Sequence, residues 1–555
     1  MSTDFFANLG EAAELARTAM DRLEAAQAVE RLYLRDAALW GDDLEHQAVA
    51  RRSLGWLDLP RNMAVQAGAL RRAADEARRA GYTRAVLLGM GGSSLAADMA
   101  RHVFGVESDY LDLAVLDSTH PAAVRGVERA GELERTLFLV ASKSGTTQEV
   151  ASFYRYFRRR APGEDFVAIT DPGTPLDELA GKDGFRRIWR NPPDLGGRYS
   201  ALSYFGLLPM ALLGVDLELL LARAGAMAEA CRRPVRENPG ARLAAALGGC
   251  GRDKVTLLLP PPLSPFGWWL EQLMAESTGK KGRGLVPVEG EALGTPQVYG
   301  TDRLFIRYVL EGFPDRTAGE DAAALIRAGR PVLTIPLRDL WDLGGEIFRW
   351  EAAVALTGFL LGIDPFDQPN VQESKDRTRK LLEGWQDGGA LPEAAPFLEA
   401  DGIACYGDPL DGDTPAAVLR SHLARARSGD YLAIQAFWPP SPEATEILSG
   451  VRERVRDKLH LATTAGYGPR YLHSTGQLHK GGPDEGLFLQ LTAGEAAELP
   501  IPGEAYGFGT LHQAQALGDL EALRDRGRRV LRLHFLRGTG ELERLEELTV
   551  TALEG

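Results

Sequence analysis

Four hydroxyls and one ammonium fall within the six residues Ser142-Lys143-Ser144-Gly145-Thr146-Thr147. They follow the apolar run TLFLVA and precede the helical pattern VASFYRYFRRR. At a helix N-terminus, free N–H groups and the helix dipole favour an anion. The hydroxyls add donors without bulk and Lys143 adds charge, which is the chemistry of a phosphate site. The plain alternative is a Ser/Thr helix cap beside a solvated lysine. A second loop, Gly89-Met90-Gly91-Gly92-Ser93-Ser94, follows RAVLLG. It is GxGG rather than GxGxxG, so it matches a dinucleotide loop only loosely, although Asp117 ends the next strand where a ribose-binding acid would stand. Alone it reads as a tight turn. Two such loops at one sheet edge fit a single small phosphorylated ligand better than a nucleotide.

The elements that must position these loops alternate between strand and helix from about residue 80. RAVLLG, LDLAVLD, TLFLVA and DFVAITD are short apolar runs separated by helical stretches, the pattern of βαβ units and a parallel sheet. In such sheets ligands bind beyond the carboxyl ends of the strands, where both loops lie. Residues 1–60 show helical spacing. A second α/β unit starts near KVTLLLPPP, with the first unit spanning about 61–215 and the second 216–390. The charged, Gly-rich stretch KLLEGWQDGGALPEAAP marks a boundary, and a further α/β unit fills 391–555.

The chain has 555 residues, 45% hydrophobic and 25% charged, so packed domains rather than disorder are expected. Its net charge of −14 argues against a nucleic-acid or acidic-membrane partner. Three cysteines without a CxxC pair supply neither a zinc ribbon nor a disulfide framework. The N-terminus carries no secretory pattern and no window approaches the ~20 apolar residues of a membrane span, so a cytoplasmic location is expected.

GMGGSSLA and SKSGTTQE resemble the paired signatures of the sugar isomerase domain. GGRYSALS at 196–203, LEQLMAESTGK at 270–280 and FDQPNVQESK at 366–375 extend this to a resemblance to the glucose-6-phosphate isomerase family. The resemblance covers residues of about 85–375. Within the family it resembles bacterial forms with the long segment GYGPRYLHSTGQLHKGGP, some of which are fused to a transaldolase, which is not expected in a chain of this length. It implies two tandem flavodoxin-like sugar isomerase domains, an N-terminal helical segment and an additional C-terminal α/β unit. It also implies interconversion of glucose 6-phosphate and fructose 6-phosphate without metal or organic cofactor.

By the same resemblance Ser142, Lys143, Ser144 and Thr147 hold the phosphate, the family often having Thr where Ser144 stands. Gly92 and Ser93 line the sugar. Arg198 matches an arginine that stabilises the enediolate, Glu276 the base, and Lys375 a lysine of ring opening. Gln272 and Gln368 are the accompanying glutamines. The residue types suit the reaction. Moving a proton between adjacent carbons needs a base and a cation for the developing oxyanion. Gln272 and Glu276, four apart, share one helix face. Taken singly, Glu276 is a surface glutamate, and Arg198 and Lys375 are solvated cations. Rival functions are an isomerase that also accepts mannose 6-phosphate, a non-catalytic sugar-phosphate-binding protein, and a nucleotide-dependent oxidoreductase.

One family feature is missing. The ring-opening histidine stands between base and lysine, yet none of the nine histidines lies between Glu276 and Lys375. His473, in LHSTGQ, is the first candidate, His479 the second, and neither is the third reading. GLFLQLT resembles RLFIRYV, and ELPIPGEAYGFGTLHQAQALGDL loosely follows TIPLRDLWDLGGEIFRWEAAVAL. If that echo is real, the C-terminal unit is a partial extra copy that delivers His473 within the chain. In the family a neighbouring subunit supplies this histidine, so monomer and homodimer are both open.

Overall fold

The structure is a computed structural model and describes residues 5–313, 316–388, 391, 394–494 and 498–554. The expected boundary at residue 390 lies outside the described residues. Strands β1 (Arg84–Gly89), β2 (Asp112–Leu116), β3 (Thr136–Ala141), β4 (Phe166–Thr170) and β5 (Arg187–Arg190) form a parallel sheet in the order β2-β1-β3-β4-β5. Strands β6 (Lys254–Leu258), β7 (Val286–Val288), β8 (Arg303–Leu310) and β9 (Val332–Leu337) form a second, in the order β7-β6-β8-β9. Both follow the flavodoxin-like winding, with helices between strands.

The third sheet contains β10 (Leu398–Ala400), β11 (Ile403–Gly407), β12 (Tyr431–Phe437), β13 (Ala462–Tyr467), β14 (Gly486–Ala493) and β15 (Arg529–Phe535). Its order is β10-β11-β15-β14-β12-β13, with β11 antiparallel to both its neighbours and the four strands from β15 to β13 mutually parallel. Counted from β12, its parallel strands run second-first-third-fourth, as in the other two sheets. β14 and β8, the two strands with the echoing sequences, occupy the same third position. The second half of the echo is out of register by one strand: the helix Phe508–Asp525 follows β14, whereas Asp342–Leu361 follows β9.

The strands are apolar on both faces because helices cover both faces. Ala85, Leu87, Leu137 and Leu139 join one core with Ala16, Leu23, Leu70 and Ala74 of the N-terminal helices. Their neighbours Val86, Leu88, Phe138 and Val140 point the other way, as period-two alternation requires. That second core includes Phe153 and Phe157 of the helix Gln148–Arg158, and also Phe508, Leu511 and Leu517 of the third unit. Phe153 and Phe508 stack at 5.9 Å. The third unit therefore packs directly over the first sheet.

The stretch expected to mark a boundary begins as helix. Val371–Gly388 is helical, and Leu381 and Leu382 are buried in the second core. Apolar burial outweighs the local Gly and charge signal here. The second and third units meet at a buried pair, Arg303–Glu291 at 2.9 Å, where Glu291 also accepts from the backbone N–H and hydroxyl of Thr463. A pair this buried contributes little net stability, but it fixes one geometry because breaking it strands a charge.

The same two units also touch backbone to backbone. A Cβ on Gly279 would stand 2.3 Å from Leu478 Cα. We therefore expect Gly279→Ala to cost ~1–3 kcal/mol through overpacking against atoms that cannot swing aside. Urea unfolding would read this, with Gly181→Ala, where nothing lies within 4 Å, as the neutral control. Equal midpoints for the two variants would show that the joint is loose.

Candidate functional site

The phosphate-type loop sits between β3 and the helix Gln148–Arg158. Its hydroxyls are organised in pairs: Ser142 Oγ lies 2.9 Å from Thr147 Oγ1, and Ser144 Oγ 2.9 Å from Thr146 Oγ1. The N–H of Gly145 donates to Ser142 Oγ at 3.1 Å. Lys143 points elsewhere. Its ammonium pairs with Asp171 at 2.7 Å, beyond the end of β4. Burial pushes the Asp171 carboxyl up against the pull of that lysine. The loop thus presents hydroxyls, while the charge of Lys143 is spent on a neighbouring strand end.

A cavity of about 360 Å³ opens beside this loop. Ser144, Thr146 and Thr147 form one wall, and Lys375, Arg379 and His473 others. Its size is at the lower end of the ~300–1,000 Å³ typical of small-molecule sites. Lys375 comes from the helix Val371–Gly388 and His473 from the third unit, in the short 3-10 turn Arg470–His473.

Glu276 lies on the helix Phe266–Thr278 and is buried. Its Oε1 is 3.3 Å from Arg198 Nη1, and its Oε2 accepts from Gln272 Nε2 at 3.0 Å. Gln272 also donates to the carbonyl of His473 at 2.8 Å, which ties Glu276 to the cavity wall. Arg198 is 2% exposed. It donates to Ser277 Oγ at 2.8 Å, Gln368 Oε1 at 2.8 Å, and the carbonyls of Pro365 and Asp367 at 2.6 and 2.9 Å. Gly91 adopts a positive φ of 54°, and a Cβ there would meet the His473 carbonyl at 2.9 Å. The glycine loop bearing Gly92 and Ser93 thereby lets the histidine turn close onto it. His479 is not in the cavity wall. It is buried beside Gln435 and Phe488, and burial holds its imidazole well below the usual range.

Sequence reasoning missed Glu149, the last residue of SKSGTTQE. Its Oε1 is 3.1 Å from His473 Nε2 and accepts from Gln515 Nε2 at 2.7 Å. Gln515 in turn accepts from the Thr119 hydroxyl at 2.6 Å. Burial alone would push the Glu149 carboxyl up. The charge and hydrogen bond of His473, with Lys375 behind them, outweigh burial and hold it at about 2. A carboxylate that receives an imidazole N–H fixes the ring's orientation. The signal in the sequence was an acid in the first turn after an anion loop, where an exposed cap is the usual reading.

A carboxyl depressed from 4.5 to about 2 adds stability that is complete above the unfolded value and is lost as pH falls through the folded one. Wild-type protein should therefore lose on the order of 3 kcal/mol more than Glu149→Gln across that window, down to the acid limit of folding. Urea titrations at stepped pH measure the difference, and parallel curves for the two proteins would remove the ion pair.

The family model for phosphoglucose isomerase matches residues 65–281. The chain is 32% identical over 342 residues to glucose-6-phosphate isomerase from Thermosynechococcus vestitus, covering 53% of this chain and 65% of that one. It spans just under two thirds of that relative's length. To glucose-6-phosphate isomerase from Geobacter sp. (strain M21) it is 33% identical over 401 residues, covering 63% of this chain and 75% of the relative. The crystal structure of a glucose-6-phosphate isomerase from Chlamydia trachomatis shares the fold, with a TM-score of 0.55 at 21% identity over 67% of this chain and 86% of that one. Among the described residues no helix is long and apolar enough to cross a membrane. The extent of the Geobacter match, together with the family model over the first unit and the start of the second, places the chain in the phosphoglucose isomerase family of enzymes.

Proposed function

We propose that this protein interconverts glucose 6-phosphate and fructose 6-phosphate through a cis-enediol, with Glu276 as the base. The observation that carries this is the buried Glu276–Arg198 pair at 3.3 Å, joined through Gln272 to a cavity whose far wall is a hydroxyl-rich anion loop. The phosphate rests on Ser142, Ser144 and Thr147 and on the helix N-terminus behind them. The sugar then extends toward Glu276, past Gly92 and Ser93. Glu276 takes the proton from one carbon and returns it to the next. Arg198 and Gln368 face the oxygen on which negative charge develops, in a place water barely reaches, where a fixed cation is most effective. Lys143 contributes by holding the loop to Asp171.

Ring opening falls to His473 and Lys375. His473 gives a proton to the ring oxygen as the C1–O bond breaks and the C1 hydroxyl loses its proton to solvent to become the carbonyl, while Glu149 aims the imidazole through its hydrogen bond. All these residues belong to one chain, so the reading includes a site complete in the monomer.

Glu276→Gln keeps the shape and removes the base. Its kcat should fall by at least ~10²-fold, the lower end for general base catalysis. Exchange of the C2 proton with solvent should fall in step. A coupled assay with EDTA present measures the first and NMR in D2O the second; near-normal turnover sinks the mechanism.

His473→Ala should slow the ring-closed anomers far more than the open-chain fraction, because only the former needs a proton at the ring oxygen. Wild-type specific activity should also stay constant on dilution below any dimer affinity. Equal slowing of both substrate forms, or activity that vanishes on dilution, contradicts a histidine supplied in cis.

A further inference from the structure

Behind the histidine turn lies a second cavity, of about 350 Å³, separate from the one described above. It is closed by residues just past the ends of β2 (Asp117), β7 (Glu289) and β13 (Gly468). These are the second strands of the three units. Their carboxyl ends converge, which is where α/β sheets bind ligands.

The charged groups of this cavity sort into two sets. On one side Arg470 bridges Asp98 at 2.7 Å and Asp117 at 3.0 Å, and Arg101 pairs with Asp98 at 2.7 Å. Two cations and two carboxylates close that set. On the other side stand Glu271 and Glu289, faced by Arg452 and, from the first set, by Arg470. Arg452 is largely occupied: it donates to the backbone carbonyls of Glu289 at 2.6 Å and Thr463 at 2.8 Å. Its other acidic neighbour, Glu291, already has Arg303 at 2.9 Å. Four carboxylates (Asp98, Asp117, Glu271, Glu289) and three guanidiniums (Arg101, Arg452, Arg470) thus line the cavity beside His102, an excess of one acid, and burial pushes the Glu289 carboxyl up.

The two carboxylates are held in place rather than free to escape to solvent. Glu271 Oε1 accepts from Ser474 Oγ at 3.0 Å. The Glu289 side chain crosses the start of the same helix, where a Cβ on Gly267 would meet its Cγ at 2.5 Å, and the Trp268 indole donates to it. Burial first, and then the charge of Glu289, push the Glu271 carboxyl up to about 7, against the pull of Ser474, Arg470 and Arg452.

We propose that this cavity is a second binding site, for a small organic monocation: a primary ammonium on a compact, ring-sized body. The ammonium sits between Glu271 and Glu289 and supplies the missing positive charge, while the body lies along Trp268 and Tyr467. Binding requires Glu271 ionised, so it weakens as pH falls below 7. Ser474 and Arg470 flank His473 in the chain, so occupancy alters the anchoring of the histidine turn from behind.

The test uses the full chain and two probes of the same shape, trans-4-aminocyclohexanol and trans-1,4-cyclohexanediol, in isothermal titration without turnover. The amine should bind and the diol should not. Binding should be tighter at pH 8 than at pH 6. It should weaken ~tenfold or more in Glu271→Gln, the loss expected for a charge-assisted hydrogen bond. Glu289→Gln should act the same way and serves if the first variant fails to fold. Ser142→Ala with Thr147→Ala should leave amine binding intact, which separates this cavity from the catalytic one. No amine binding at millimolar concentration, equal binding of amine and diol, or binding indifferent to both glutamine variants overturns the proposal. None of these outcomes depends on whether the isomerase reading holds.

Discussion

A guanidinium that water barely reaches must find an acceptor for each N–H, and Arg198 sets that demand at the centre of this molecule. Its acceptors come from the helix carrying Glu276 and from the loop 365–368. Neither segment can shift alone without leaving a donor unpaired, at a cost larger than a typical hydrogen bond contributes. The same cation fixes the Glu276 carboxylate from one side while Gln272 fixes it from the other. Charge complementarity and polar satisfaction thus impose the position of the Glu276 carboxylate without any ligand.

From that centre the architecture works outward through backbone contacts. Gly91 lets the glycine loop and the histidine turn approach to atomic contact, and Gly279 does the same between the second unit and the helix after that turn. The third unit is held by the stacked Phe153 and Phe508, by Glu291 with Thr463, and by Arg470 between Asp98 and Asp117. These joints differ in chemistry, yet they converge on a single small turn. A histidine that must meet Glu149 within hydrogen-bond distance needs this many constraints, because it travels with a separate sheet.

What was legible in the sequence follows a physical rule. Residues whose placement depends on local context could be read: Ser142 and Thr147 at a strand-to-helix turn, Gln272 and Glu276 one helical turn apart. The α/β alternation was legible for the same reason. Residues whose role depends on what lies opposite could not. Glu149 reads as an ordinary first-turn acid until His473 arrives from 324 residues away, and Gln515 reads as a helix surface until Thr119 meets it. Lys143 looked like part of the anion cradle because nothing local reveals that Asp171, on the next strand, claims its ammonium. The stretch after Thr378 looked like a boundary because its glycines and charges outnumber Leu381 and Leu382, although burial of those two leucines keeps its first part in a packed helix.

The order of parts along the chain has a consequence for synthesis. His473 lies roughly 200 residues after Glu276, and at ~5–20 residues per second a ribosome needs roughly 10–40 s more to deliver it. During that interval the first two units emerge with the Ser142–Thr147 loop, Arg198 and Glu276, while Glu149 has no imidazole to meet and the outer core of the first sheet lacks Phe508. The nascent protein is then a partly covered apolar surface beside a buried carboxylate whose partner is still to come. Arrival of the third unit closes both at once, so burial of hydrophobic surface and pairing of Glu149 become the same event.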